Sequence, residues 1–272
     1  MIGKPSERLY KFMITDWMKL TDLEACSKVL ETKRFNRNMQ PLEMKYPESK
    51  RILVIAPHPD DDIIGAGGTL IKAKEKGAEI HVLYVTNGLK DKKTKIREET
   101  LSVCNELGSI PHFLDCDTRA IPLNDSEVNE KINKLLFDLK PETIFISFLL
   151  DDHDDHRRVN HLLLDIIGNR SLFNCEIWAY QIYSTVIPNV AVNITNEKDR
   201  KKDLIDIWKS VGKFNDLAHY ILGVNASNCR YIKSEKPIWV ETFFVVPLQE
   251  YLKLCHLYFS KYESNNYYFD NY

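Results

Sequence analysis

The sequence lacks most of the features that assign a chain at a glance. Its six cysteines (Cys26, Cys104, Cys116, Cys175, Cys229 and Cys255) are scattered over 272 residues with no C-x-x-C pair. That excludes the disulfide framework of a small secreted chain and leaves reduced, packing thiols. No apolar run approaches the roughly 20 residues of a membrane span, and the opening MIGKPSERLYKFMITDWMKL holds no signal-peptide core. The longest run, Ile144 to Leu150, is broken by Ser147 and ends in acids, so it reads as a buried strand. A cytoplasmic chain without a membrane span is the expectation. Charge of one sign is also missing: 37 Lys+Arg face 39 Asp+Glu, a formal net charge of −2. A polyanion binder carries a basic surplus, so no nucleic-acid partner is expected. Internal repeats and low-complexity tracts are absent, apart from a Tyr/Asn-rich tail after Glu263.

What is present is pattern. With 44% hydrophobic residues, the length suits one large α/β domain or two small ones. Residues 1–48 carry helix-like spacing at Leu9, Phe12, Met13 and Trp17, then at Leu23, Cys26, Val29 and Leu30, and end in stretches bearing Pro41 and Pro47. They read as a helical extension packed on a main domain over 49–272. From Arg51 the pattern changes to β-branched runs alternating with helical ones. Strands are expected at Arg51–Ala56, Glu79–Thr86, His112–Leu114 and Thr143–Phe148, and helices at Thr69–Lys76, Lys95–Leu107 and Ser126–Leu139. Gly65-Ala66-Gly67-Gly68 is expected to precede the first helix, and Gly108 to stop the second. The fold class is therefore α/β, Rossmann-like, a mostly parallel β-sheet with helices on both faces.

In such sheets function sits in loops at the carboxyl ends of the strands. Two of these loops stand out: Pro57-His58-Pro59-Asp60-Asp61-Asp62 and Asp151-Asp152-His153-Asp154-Asp155-His156. Together they hold three of the chain's eight histidines and seven aspartates. Acids packed side by side repel one another unless a cation sits among them. Imidazole and carboxylate are the donors that suit a divalent transition metal, zinc above all. Catalytic zinc takes three protein ligands and leaves a position for water. His58, Asp61 and one histidine of the second loop would supply that set, with Asp60 as general base. The competing reading is two solvated acidic turns, which the equivalent strand-end placement of both loops disfavours.

These residues resemble the PIG-L/LmbE-like zinc-dependent N-deacetylases. The family's first motif, (A/P)-H-P-D-D-E, stands here as Pro57-His58-Pro59-Asp60-Asp61-Asp62, followed by Gly65-Ala66-Gly67-Gly68-Thr69. Its second, H-P-D-H-R, stands as His153-Asp154-Asp155-His156-Arg157. Softer likeness continues at Thr86-Asn87-Gly88, Glu99, Leu107-Gly108 and Glu241-Thr242-Phe243, so the resemblance runs roughly from residue 50 to 246. It implies a zinc ion, or another divalent transition metal, on His58, Asp61 and His156. It further implies Asp60 as general base and acid, His153 as oxyanion stabiliser, and Asp155 as the group that orients His153. The implied reaction removes the N-acetyl group of an N-acetylhexosamine-type substrate, releasing acetate and a free amine. The substrate is thus a small acetamido sugar or glycoconjugate; self-association into a homo-oligomer is left open.

Two positions depart from the motifs: Asp62 stands for Glu, and Asp154 for Pro. Neither is an implied ligand. Arg97, His219 and Tyr220 are weaker candidates for the pocket, while Trp208 reads as core. A dinucleotide-binding site is disfavoured because Leu70 stands where the glycine fingerprint needs its third glycine, and the His-Pro-Asp-Asp loop takes the place of the tight glycine turn. Phosphoester hydrolysis wants two metals or a cationic clamp, and Lys90–Lys95 is the only cation cluster at hand. A catalytically altered sugar-binding relative, or a hydrolase of another amide in a glycan or natural-product pathway, is the alternative to deacetylation.

Overall fold

The computed structural model of the chain describes residues 28–29, 31–32, 40–168, 174–210 and 216–259. Its centre is one eight-stranded sheet. The strands are β1 (Leu42–Met44), β2 (Arg51–Ala56), β3 (Glu79–Thr86), β4 (Ile110–Cys116), β5 (Thr143–Ser147), β6 (Glu176–Tyr180), β7 (Val190–Asn193) and β8 (Val240–Pro247). They lie in the order β1-β7-β8-β6-β5-β2-β3-β4. Only β8 runs against its neighbours, pairing antiparallel with β6 and β7. The remaining ladders are parallel, as the alternation of strands and helices leads one to expect.

The α-helices among the described residues are α1 (Asp61–Glu75), α2 (Lys93–Leu107), α3 (Ser126–Leu139), α4 (Asp154–Ile167), α5 (Lys198–Ile205), α6 (Leu217–Ser227) and α7 (Leu248–Phe259). The sheet's two-residue period sorts the core onto its two faces. Ile52, Val54 and Ala56 of β2 pack with residues of α1, α2, α5 and α6. Leu53 and Ile55 pack with residues of α3, α4 and α7. Because both faces are covered, β2 reads as an unbroken apolar run.

Several boundaries match the sequence expectation and some differ. β2, β3 and α3 fall where expected, and Gly108 closes α2 in the left-handed region with φ 75°. The first helix, however, starts at Asp61, so the glycines expected ahead of it lie inside it. Packing explains their presence. A Cβ on Gly65 would stand 2.3 Å from Tyr180 Cδ2, and one on Gly68 2.7 Å from Ile194 Cβ. Bare backbone lets α1 press directly on the sheet. A buried carboxylate then clamps it there: Glu241 of β8 accepts from Gly68 N (2.8 Å), Thr69 N (2.8 Å), Thr69 Oγ1 (2.6 Å) and Lys201 Nζ (2.7 Å). Of the helical extension expected over residues 1–48, residues 1–27, 30 and 33–39 lie outside the described residues. Val29 is fully buried against the core. Leu42–Met44 is not helical but a short edge strand paired with β7, so the sheet begins ahead of the boundary expected after residue 48.

Candidate metal centre

The order of strands reverses between β2 and β5: β3 and β4 follow on one side of β2, and β5 lies on the other. Crevices at such switch points receive ligands in open α/β sheets. Each of these two strands runs into a helix of the opposite face, β2 into α1 and β5 into α4, and both acidic motifs sit at those junctions. Asp60 holds the N-cap position of α1 without a side-chain cap bond, with Asp61 and Asp62 in the first turn. His153 caps α4, with Asp154 and Asp155 in its first turn. Carboxylates gain from the positive ends of helices, which offsets part of the repulsion of so many acids.

Three atoms meet in the crevice. His58 Nδ1 lies 3.0 Å from Asp61 Oδ2 and 3.2 Å from His156 Nε2, and the latter two are 3.2 Å apart. Ligands about 2.0–2.1 Å from a tetrahedral zinc stand roughly 3.3 Å from one another. The triangle therefore has the size of one face of such a site, and its N, N, O donor set suits a divalent transition metal. His153 completes a wider group: donor atoms of His58, His153 and His156 all fall within 4.8 Å of one another.

Carboxylates behind the rings decide which nitrogens face the triangle. His58 Nε2 donates to Asp155 Oδ2 at 3.0 Å, which leaves Nδ1 to point inward. Asp151 Oδ1 stands 3.0 Å from His156 Nδ1, although the ring N–H is out of line with it. This charge favours the tautomer that leaves Nε2 free. Carboxylates of this kind set the ring orientation and ligand strength of metal-binding histidines.

Asp155 reaches both His58 and His153. Its carboxylate accepts from His58 and from Arg119 N (3.1 and 2.8 Å), with Arg119 in the left-handed region at φ 64° to aim that N–H. What reaches His153 is the Asp155 backbone, whose N–H donates to Nδ1 at 3.2 Å. Asp155 thus orients His153 through the main chain and His58 through the side chain. With Nδ1 accepting, neutral His153 carries its proton on Nε2.

Burial and charge set the protonation pattern. Burial would lower His58 and His156, but Asp61 and the carboxylates behind them outweigh it and hold the rings at about 9 and about 10. Burial, followed by the charges of the other two rings, pushes His153 down to about 3. Asp60 is pushed up to about 7 by burial and by the neighbouring Asp61 charge. Asp61 itself is held far below the usual carboxylate range: the two imidazoles overcome its burial. A cation entering the triangle would take the place of protons on the two rings.

The remaining candidates sort by position. Asp62 is fully buried and accepts from Tyr84 Oη at 2.9 Å, so it braces the first turn of α1. Arg97 stacks on the Phe113 ring at 3.5 Å, pairs with Asp115 and donates to Asn87 Oδ1, none of them a member of the triangle. Trp208 is core, as expected. His219 and Tyr220 lie exposed on the first turn of α6.

Two participants carried no sequence signal of their own. Asp151 reads as one more acid in a run, yet it is fully buried and also accepts from His153 N (3.1 Å), Tyr183 N (3.1 Å) and Ser184 N (3.3 Å). It joins His156 to the loop after β6. Asp151→Asn is expected to fold and to bind metal about 10- to 100-fold more weakly, as read by competition with a chelating dye. An unchanged affinity would remove Asp151 from the support of His156. The other is Tyr183, whose ring lies over His153 and His156.

Comparisons with known proteins concern the sequence and the fold. Residues 53–167 match the family described as PIG-L, GlcNAc-PI de-N-acetylase. A putative glucosamine-6-phosphate deaminase-like protein of Bacteroides thetaiotaomicron is 27% identical over 51% of this chain and 32% of its own length. This chain therefore spans about a third of that relative. Diacetylchitobiose deacetylase of Thermococcus kodakarensis is 25% identical over 64% of this chain and 81% of its own. Among solved structures, N,N'-diacetylchitobiose deacetylase from Pyrococcus horikoshii superposes with a TM-score of 0.62 at 21% identity, covering 91% of this chain and 94% of that one. A teicoplanin deacetylase described as its zinc inhibited form gives 0.57 at 15% identity, over 72% and 98% of the two chains. At these identities the solved structures show a shared fold.

Proposed function

From a chain whose residues 53–167 carry the PIG-L/LmbE-like signature, we propose a metal-dependent hydrolase that removes the N-acetyl group from an acetamido sugar. The observation that carries this reading is the triangle of His58 Nδ1, Asp61 Oδ2 and His156 Nε2, with edges of 3.0 to 3.2 Å, beside a buried carboxylate that is not part of it. These three residues would hold the metal. Once bound, a divalent ion lowers the pKa of water and polarises a carbonyl oxygen.

The chain's own groups do the rest. Asp60, whose carboxyl is pushed up by burial and by the neighbouring Asp61 charge, suits proton transfer in both directions. It takes a proton from the attacking water as the new C–O bond forms. It returns that proton to the nitrogen as the C–N bond breaks, giving acetate and the free amine. His153 is neutral with a proton on Nε2, and would donate that N–H to the oxygen that gains negative charge. An amide needs both its carbonyl activated and its amine protonated, and these two residues divide the work. The named activities of the Thermococcus and Pyrococcus proteins support an acetamido sugar as substrate. The N, N, O donors favour zinc. Because one neighbour is described in a zinc inhibited form, the metal is best titrated rather than supplied in excess.

A panel of N-acetylated mono- and disaccharides, assayed for acetate by NMR with the metal-loaded chain, tests the proposal. Release of acetate with an equal amount of amine is expected. A fully loaded protein that releases none across the panel would contradict it.

A further inference from the structure

The loop after β6 passes beside the crevice, and its construction differs from that of an ordinary surface loop. Ile182 and Ser184 are buried, at 7% and 2% exposure, whereas Tyr183 between them is 58% exposed. The backbone is pinned: Asp151 Oδ2 accepts from Tyr183 N at 3.1 Å and from Ser184 N and Oγ, each at 3.3 Å. The ring is held as well. It lies nearly parallel to His153 (centroids 5.6 Å, planes 25° apart) and to His156 (5.4 Å, 28°). A large aromatic ring has thus been fixed at the mouth with its flanks anchored, while more than half of it stays in water.

On the deacetylase reading above, we propose that Tyr183 is a stacking platform for the pyranose ring whose acetamide enters the crevice. The face of an aromatic ring carries the negative side of its quadrupole, which attracts the weakly positive C–H groups lining one face of a sugar. Binding sites commonly combine such apolar surfaces with a few fixed polar groups. Here the ring faces His153 and His156, so a sugar on its exposed part is held next to these two histidines. The platform recognises a ring, not an acetamide alone. Asp151 then serves two parts of the site, facing His156 with one oxygen and anchoring the platform with the other.

The test uses the metal-loaded full chain, Tyr183→Ala and Tyr183→Phe, with N,N'-diacetylchitobiose as probe. Tyr183→Ala is expected to keep its metal content and to raise KM about tenfold, with kcat changed much less; Tyr183→Phe should behave like wild type. A KM for the alanine variant within twofold of wild type overturns the platform. So does a phenylalanine variant as impaired as alanine, because the hydroxyl would then be the working part. Saturation-transfer NMR reads the contact without turnover. Sugar C–H signals present in wild type and Tyr183→Phe but lost in Tyr183→Ala support the platform, and signals equal in all three overturn it. Failure of the deacetylase reading is separate, and shows as no acetate from wild type.

Discussion

Asp60→Asn is expected to lower kcat by about 10²- to 10⁴-fold, the usual contribution of a positioned acid–base group, while leaving the bound metal in place. The substitution removes only the ability to exchange a proton. Asn is nearly isosteric, and Asp60 contributes no atom to the triangle formed by His58, Asp61 and His156. The effect should appear in kcat rather than KM, because the proton moves only during reaction. Two outcomes would correct the account. Near-wild-type turnover would remove Asp60 from proton transfer, and loss of metal would move it into the ligand set.

His156→Gln should fail differently, losing metal first and activity as a consequence. His156 is fully buried and supplies one corner of the triangle, so its loss should exceed the roughly 10- to 100-fold that removal of a supporting group costs. Two measurements separate a lost ligand from a damaged fold. Metal analysis after dialysis should fall from about one ion per chain to near zero, the closed three-donor set being broken. Thermal unfolding should respond to added metal in wild type and not in the variant, since only binding to the folded state raises stability. A variant that retains metal and the same metal-dependent rise would place the ion elsewhere, with the wider group that includes His153 as the alternative.

How far the sequence anticipated this molecule depends on the range of the interactions involved. β2 and β3 were legible to the residue because strands covered on both faces are rich in apolar, β-branched residues, as Ile52–Ala56 and Val82–Val85 are. α3 was legible because Asp125 caps it and its buried residues recur at helical spacing. β1 was not: three residues, Leu42 to Met44, are too few to show a period, and only pairing with β7 makes them a strand. The early start of α1 was hidden by its glycines, which weaken a helix locally and are present because Tyr180 and Ile194 press against them. In the site, motif spacing placed these residues at one end of the sheet but could not say which atom faces which. The Asp155 carboxylate goes to His58 and only its backbone to His153. Asp151 and Tyr183 depend on a loop remote in sequence, so neither could be assigned before the sheet order was known.

The central claim is that the His58–Asp61–His156 triangle holds the ion on which amide hydrolysis depends. Its most direct test is to strip the chain with a chelator, add back zinc in sub-stoichiometric steps, and follow acetate release from N,N'-diacetylchitobiose. The account predicts no release from the stripped protein and a linear recovery that breaks at about one ion per chain, as a single three-ligand site requires. Full activity in the stripped protein, or activity that never returns with zinc, cobalt or manganese although the metal binds, would contradict it.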